Sequence, residues 1–342
     1  MSEPRPGRAL LLLALLLPLA LVAATALGSV ALPAGGLVRT TLAALGWPVP
    51  AGQGLDATQQ AILWSVRLPR VLLAAVVGGG LAVVGATLQA VFRNPLADTG
   101  LLGVGAGAAL GAVLAVHLGW SATVFLALPA CAFAGALASL LLVYALAHAS
   151  GRGSLAGLLL TGIAVSALAS AGTSMLLVAI EEFRVKTVLF WLAGGLEGRS
   201  WEHLRLAAAA VLPGSLLLWL LSRPLDLLSL GHEEASSLGL AVHPARLTFF
   251  ALCALVAGGA TAVSGSVPFV GLLAPHALRP LVGPLARRLL PASFLGGALM
   301  VVLADLAART LSHSLDLPLG SLTAVIGAPY FLLALRGTEG RE

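Results

Sequence analysis

Apolar residues run through this chain in about ten stretches, each long enough to cross a bilayer, and polar residues collect in the gaps between them. A spanning helix needs about 20 mostly apolar residues. That rule predicts helices over Ala9–Val30, Val71–Phe92, Thr99–His117, Ala122–Ala147, Leu155–Ile180, Leu204–Leu221, Leu247–Val263, Val267–Val282, Leu290–Ala308 and Leu317–Leu335. Most connections are short, so residues 1–342 are expected to form a single all-α integral membrane domain. Arg5 and Arg8 precede the first run as in a signal peptide. The run exceeds the roughly 7–15 residues of a signal core, however, and reads as a retained first helix.

Composition sharpens this picture. Hydrophobic residues make up 59% and charged residues 10%, against about a quarter charged in soluble domains. Almost no ionisable side chain falls in the middle of a stretch, which argues against a proton or sodium relay inside the chain. The net charge of +5 is scattered between spans, unlike the clustered basic face of a nucleic-acid binder. The seven histidines are dispersed, with no two at a spacing of three or four, so no metal site is expected. A P-loop needs Lys after glycine. Lys186 is the only lysine and follows Val185.

With both termini in the cytoplasm, eleven of the nineteen Lys and Arg fall on the inner side and eight on the outer, the direction of the positive-inside rule. Trp47, Trp64, Trp120, Trp191 and Trp201 then lie near the outer boundary, where amphipathic rings settle. Two longer polar connections remain, Glu181 to His203 outside and Arg223 to Arg246 inside.

Three groups of residues are candidates for function. Arg67, Arg70 and Arg309 lie at the outer ends of their spans, with Asp305 one helical turn before Arg309. They suit either snorkelling to head groups or a basic patch for an acidic partner. As such a patch, their reversal to Glu is expected to leave folding intact. In the inner connection, about residues 223–246, Gly231 and Gly239 bracket a short helix with acids in its first turn. Leu230, Gly231, Glu233, Glu234, Ala235, Leu238 and Gly239 form an interfacial helix or a lever for a cytosolic partner. On the fifth span Gly162, Ser166, Ser170 and Thr173 recur at helical spacing, which fits a translocation path or helix-to-helix hydrogen bonding.

The order of motifs resembles a known family. Arg67-Leu68-Pro69-Arg70 comes first, then Gly85-Ala86-Thr87-Leu88-Gln89 running on to Arg93-Asn94-Pro95-Leu96-Ala97-Asp98. Phe269-Val270-Gly271-Leu272-Leu273-Ala274-Pro275-His276, Ala304-Asp305 with Arg309, Leu317-Pro318-Leu319-Gly320 and Gly327-Ala328-Pro329-Tyr330-Phe331 follow. The set is similar to the FecCD/BtuC-like permeases of bacterial ABC importers for iron chelates, haem or vitamin B12. Thr99 stands where that pattern commonly has Pro.

The resemblance implies a type II ABC importer permease of ten helices in the bacterial inner membrane. It implies a homodimer, two cytosolic ATPase subunits and a periplasmic binding protein. It gives Arg67, Arg70 and Arg309 the role of docking that binding protein, and Leu230 to Leu240 the role of coupling helices. ATP and Mg would act on the partner ATPase, with no cofactor bound and no catalysis by this chain. The expected cargo is a large metal chelate, haem ahead of ferric siderophore, with vitamin B12 as the alternative. An ion-coupled carrier would need ionisable groups near the midplane, and an intramembrane enzyme would need convergent catalytic groups.

Overall fold

The computed structural model describes residues 6–28, 32–44, 46–47, 54–149, 155–311 and 317–339. Among these residues the secondary structure is helical throughout. In chain order the α-helices are α1 (Pro6–Ala26), α2 (Ala34–Ala44), α3 (Ala57–Ala61), α4 (Leu68–Phe92), α5 (Val104–His117), α6 (Trp120–Thr123), α7 (Ala127–Ala149) and α8 (Leu155–Ala179). They continue with α9 (Glu182–Ala193), α10 (Trp201–Leu220), α11 (Ser222–Leu230), α12 (His232–Ser237), α13 (Val242–Ser264), α14 (Val270–Val282), α15 (Ala286–Leu311) and α16 (Leu319–Glu339). Seven helical stretches are long and apolar enough to span a membrane, and three shorter apolar helices accompany them. Each of the ten stretches expected from hydropathy contains one of these helices.

α4 is the hub. A π-helical segment, Ile62–Arg67, joins it to α3 in one continuous run. The most apolar window of that run is 83% buried, against 22% for α1 and for α8, so α4 lies inside the bundle and α1 and α8 at its margin. The contact between α4 and α15 depends on two glycines. A Cβ on Gly78 would overlap the Gly297 carbonyl, and one on Gly297 would overlap that of Gly78. Lipid provides no hydrophobic drive between helices, so such close backbone approach supplies the packing energy. α4 stops where Asn94-Pro95 predicts. Arg93 turns left-handed at φ 53°, and the Asn94 N–H reaches back to the Gln89 carbonyl at 3.1 Å, closing the last turn before Pro95.

One expected span is corrected. The helix foreseen over Val267–Val282 covers only Val270–Val282, about 20 Å at 1.5 Å per residue. The preceding segment leaves α13 at Gly265 and passes through Pro268 and a left-handed Phe269 (φ 68°). α14 therefore starts in the interior, where Gly271 packs against the Gly85 backbone. Non-helical backbone at membrane depth survives only where protein satisfies it. Here the Gly195 N–H donates to the Ser264 carbonyl at 2.8 Å, and the Gly320 N–H to the Gly194 carbonyl at 3.3 Å.

Candidate functional site

Arg67, Arg70 and Arg309 come together from three places in the chain, at the end of the bundle where α1 finishes and α4 begins. Arg70 Nε donates to Asp305 Oδ1 at 2.9 Å, and Arg309 Nε forms an ion pair with Asp305 Oδ2 at 3.0 Å. Arg67 Nη1 donates to the carbonyls of Thr25 and Ala26, each at 2.8 Å. Arg309 Nη2 donates to the Ala24 carbonyl at 3.0 Å, and the Ala23 carbonyl accepts from the Leu27 N–H at 2.8 Å. An α-helix leaves its last four carbonyls without intrahelical partners. In α1 those four, Ala23 to Ala26, are all satisfied, three of them by arginines, and cations suit the negative end of the helix dipole.

The expectation of a freely exposed patch is corrected on this point. Arg67 is 4% exposed and Asp305 1%, and the side chains of Arg70 and Arg309 are 13% and 8% exposed. Their long stems and heads are engaged within the chain. Three cations against one carboxylate still leave the cluster with an excess of two positive charges.

The opposite end of α4 lies about 37 Å away, from 25 residues at 1.5 Å each. There α11 and α12 form an elbow. Leu225 and Leu228 bury the inner face of α11, and Asp226 Oδ1 accepts the Ala286 N–H at 2.8 Å, joining the elbow to the start of α15. Burial pushes the Asp226 carboxyl above its ordinary pKa, and that N–H pulls it partly back. Gly231 makes the bend at φ 135°. A Cβ there would overlap the Glu234 carboxylate and lie 3.2 Å from Arg93 Nη1. α12 closes with Gly239 N–H to the Ser236 carbonyl (2.9 Å) and Leu240 N–H to the Ala235 carbonyl (3.0 Å), the paired bonds of a Schellman cap. Of the elbow residues singled out from the sequence, Leu230, Glu233, Glu234, Leu238 and Gly239 face outward, while Gly231 and Ala235 are buried.

Thr99 has a local role at this end of α4. Its N–H donates to Asp98 Oδ1 at 2.7 Å, a bond that proline would lack. Burial raises the Asp98 pKa, and the N–H and hydroxyl of Thr99 oppose that rise.

The stripe on α8 does not form one continuous wet face. Gly162 and Thr173 are buried and Ser170 is exposed. Ser166 Oγ donates to the Gly162 carbonyl at 2.7 Å and Thr173 Oγ1 to the Ala169 carbonyl at 2.9 Å, both within α8.

Sequence reasoning missed a cleft of about 530 Å³ at the Arg67 end, walled by Arg70, Phe183, Lys186, Phe190, Trp191 and Arg199. Trp191, expected at the lipid boundary, is 5% exposed and packs inside this wall. The available signal was the unusual length of the Glu181–His203 connection, which folds into α9 and a glycine-rich return.

Comparisons with known proteins agree with this architecture. Residues 13–337 match the FecCD transport family. The hemin transport system permease of Yersinia pestis is 44% identical over 82% of this chain and 85% of its own. The cobalamin import system permease of Halobacterium salinarum is 40% identical over 94% of this chain and 89% of its own. A solved chain described as an inward-facing conformation of a transporter assigned to the metal-chelate ABC type superposes with TM-score 0.85 at 34% identity, covering 97% of this chain and 99% of that one.

Proposed function

This chain belongs to the FecCD transport family, and on that premise we propose that it carries an iron chelate, haem ahead of ferric siderophore, into the cytoplasm. Its class is that of ABC importer permeases for iron chelates, haem or vitamin B12, which are not enzymes themselves. ATP and Mg act on two separate ATPase subunits, and the permease works as a homodimer with its chain ends in the cytoplasm. A second copy would cover the outward faces of α8, where Ile163, Leu168, Met175 and Val178 are exposed. Ser170, the exposed member of the α8 stripe, would face the path.

One observation carries the reading: a single buried helix separates two unlike surfaces. At one end the arginine cluster holds an excess of two positive charges suited to acidic groups on a binding protein. At the other end the α11–α12 elbow presents Leu230, Leu238 and two glutamates, a small amphipathic face for a partner that pushes. Motion of the elbow passes through Asp226 and Ala286 into α15, whose far end holds Asp305 and Arg309. The preference for haem follows the name of the Yersinia relative, and the Halobacterium relative, which spans more of the chain, favours the cobalamin alternative.

The test is ATP-dependent uptake into proteoliposomes containing the permease and its ATPase, with the cognate binding protein added. Haem, a ferric siderophore and cobalamin are compared. Haem uptake that needs both ATP and binding protein is the expected result. Cobalamin uptake alone would move the assignment to the alternative, and gradient-driven uptake without the ATPase would refute the importer reading.

A further inference from the structure

We propose that the cleft at the Arg67 end is a binding site for a planar chelate bearing carboxylates, gripped by Trp191, Arg199 and Lys186 before it enters the membrane. The proposal rests on the importer reading and names the substrate chemistry for it.

The first observation is a pair of unmatched donors. Trp191 lines the cleft and is 5% exposed, and its indole Nε1 has no hydrogen-bond acceptor among the described residues. Arg199 lines the same cleft, and its buried Nε also lacks one. Buried polar groups in folded proteins are nearly always bonded. Both atoms are donors only, so the missing partner must bring acceptor oxygens. Two orphan donors in one cavity point to a ligand rather than to a packing fault.

The second observation is charge. Arg70 is met by Asp305, which leaves Lys186 and Arg199 facing the single acid of the wall, Glu197. Cations are in excess, as an anionic ligand requires. Burial also lowers the Arg199 pKa, a penalty that a bound carboxylate would offset.

The third observation is shape. Phe183 and Phe190 are 75% and 47% exposed in the same wall, and Lys186 Nζ lies 5.7 Å from the Phe190 ring centroid. Exposed π faces suit a flat, polarisable ligand. The cleft of about 530 Å³ falls within the range of about 300–1,000 Å³ typical of small-molecule sites. A chelate with an apolar face and a carboxylate edge meets all three conditions. A neutral corrinoid edged with amides does not.

The test measures equilibrium binding to the permease–ATPase complex in nanodiscs, without nucleotide and without binding protein. The probes are iron protoporphyrin IX, its dimethyl ester and cyanocobalamin. The porphyrin acid is expected to bind and quench tryptophan fluorescence, with the ester and cyanocobalamin at least about tenfold weaker. Trp191→Phe, which keeps the ring and removes the donor, should weaken the acid about tenfold, as should Arg199→Gln and Lys186→Gln, and leave ester binding unchanged. The acid–ester comparison uses the unmodified protein, so it stands even if a variant fails to fold. Equal binding of acid and ester, equal binding of cyanocobalamin, or no binding of the acid would overturn the proposal. So would variants that instead weaken capture of the substrate-free binding protein. If ATP-driven uptake proceeds while the cleft variants bind as before, the cleft assignment alone fails. If no chelate is taken up at all, the importer reading fails with it.

Discussion

Arg67→Ala separates two accounts of the arginine cluster. If Arg67 were simply an exposed docking charge, its loss would weaken a partner and spare the fold. In the structure it caps α1 through two carbonyl bonds of 2.8 Å. A hydrogen bond from a charged donor contributes about 1.5–3 kcal/mol. The Ala26 carbonyl keeps a second donor, the Leu32 N–H at 3.1 Å, so its share of the loss is small. The Thr25 carbonyl loses the Arg67 bond, in a residue that is 5% exposed. Together these changes amount to about 3 kcal/mol. At about 2 °C per kcal/mol, the lower end of the range for large chains, the apparent melting temperature should fall by about 6 °C. The assay is thermal unfolding of the detergent-solubilised permease, with Arg39→Ala as control because Arg39 is exposed on α2. Arg67→Lys, which presents one compact ammonium, should recover part of the loss. An Arg67→Ala protein that melts with the wild type while losing affinity for the binding protein would refute the capping argument.

Other perturbations address the remaining parts. Gly297→Leu puts side-chain atoms into the Gly78 backbone and should abolish a monodisperse permease on size exclusion; normal recovery would mean that α4 and α15 can part without cost. Leu238→Asp combined with Glu234→Lys alters only exposed elbow residues. It should leave ATP hydrolysis running while uptake stops, and unchanged coupling would remove the elbow as a lever. For Asp226, burial raises the folded carboxyl above the ordinary aspartate value of 3.8. The charged form is therefore a burden on the fold that grows as pH rises through the folded value. Asp226→Asn keeps an oxygen for the Ala286 N–H and should melt higher than wild type at neutral pH. The advantage should vanish as pH falls to 3.8 and below, where both states of the wild-type carboxyl are protonated. A gap independent of pH would exclude the titration as its cause.

Much of the fold was legible because bilayer solvation acts on single stretches. Each apolar run had to satisfy its own backbone as a helix, so the ten stretches could be found without knowing their neighbours. The stop at Asn94-Pro95 and the bend bracketed by Gly231 and Gly239 were legible for a similar reason: proline and positive φ are local constraints. The entry to α14 was not. Val267, Val270 and Leu272 look alike to a hydropathy rule, and the helix begins late because Gly265–Phe269 bonds to and packs on backbone from α9's return loop and the start of α16. The candidate site divided in the same way. Asp305 and Arg309 are one turn apart and were readable as a pair. Arg70 is 235 residues from Asp305, and nothing in its vicinity announces that partner. Trp191 counted as one more interfacial ring until its burial beside Arg199 gave it a different environment.

The sequence by itself determined the solvent, the number of helical stretches and the places where the chain must turn, since each follows from the chemistry of a few adjacent residues. Only the tertiary structure decided that three arginines close the end of α1, that α14 starts in the interior, and that a cationic, aromatic cleft stands open beside them. Those outcomes depend on backbone groups and side chains brought together across long separations, where the energy of a contact belongs to neither partner's local sequence.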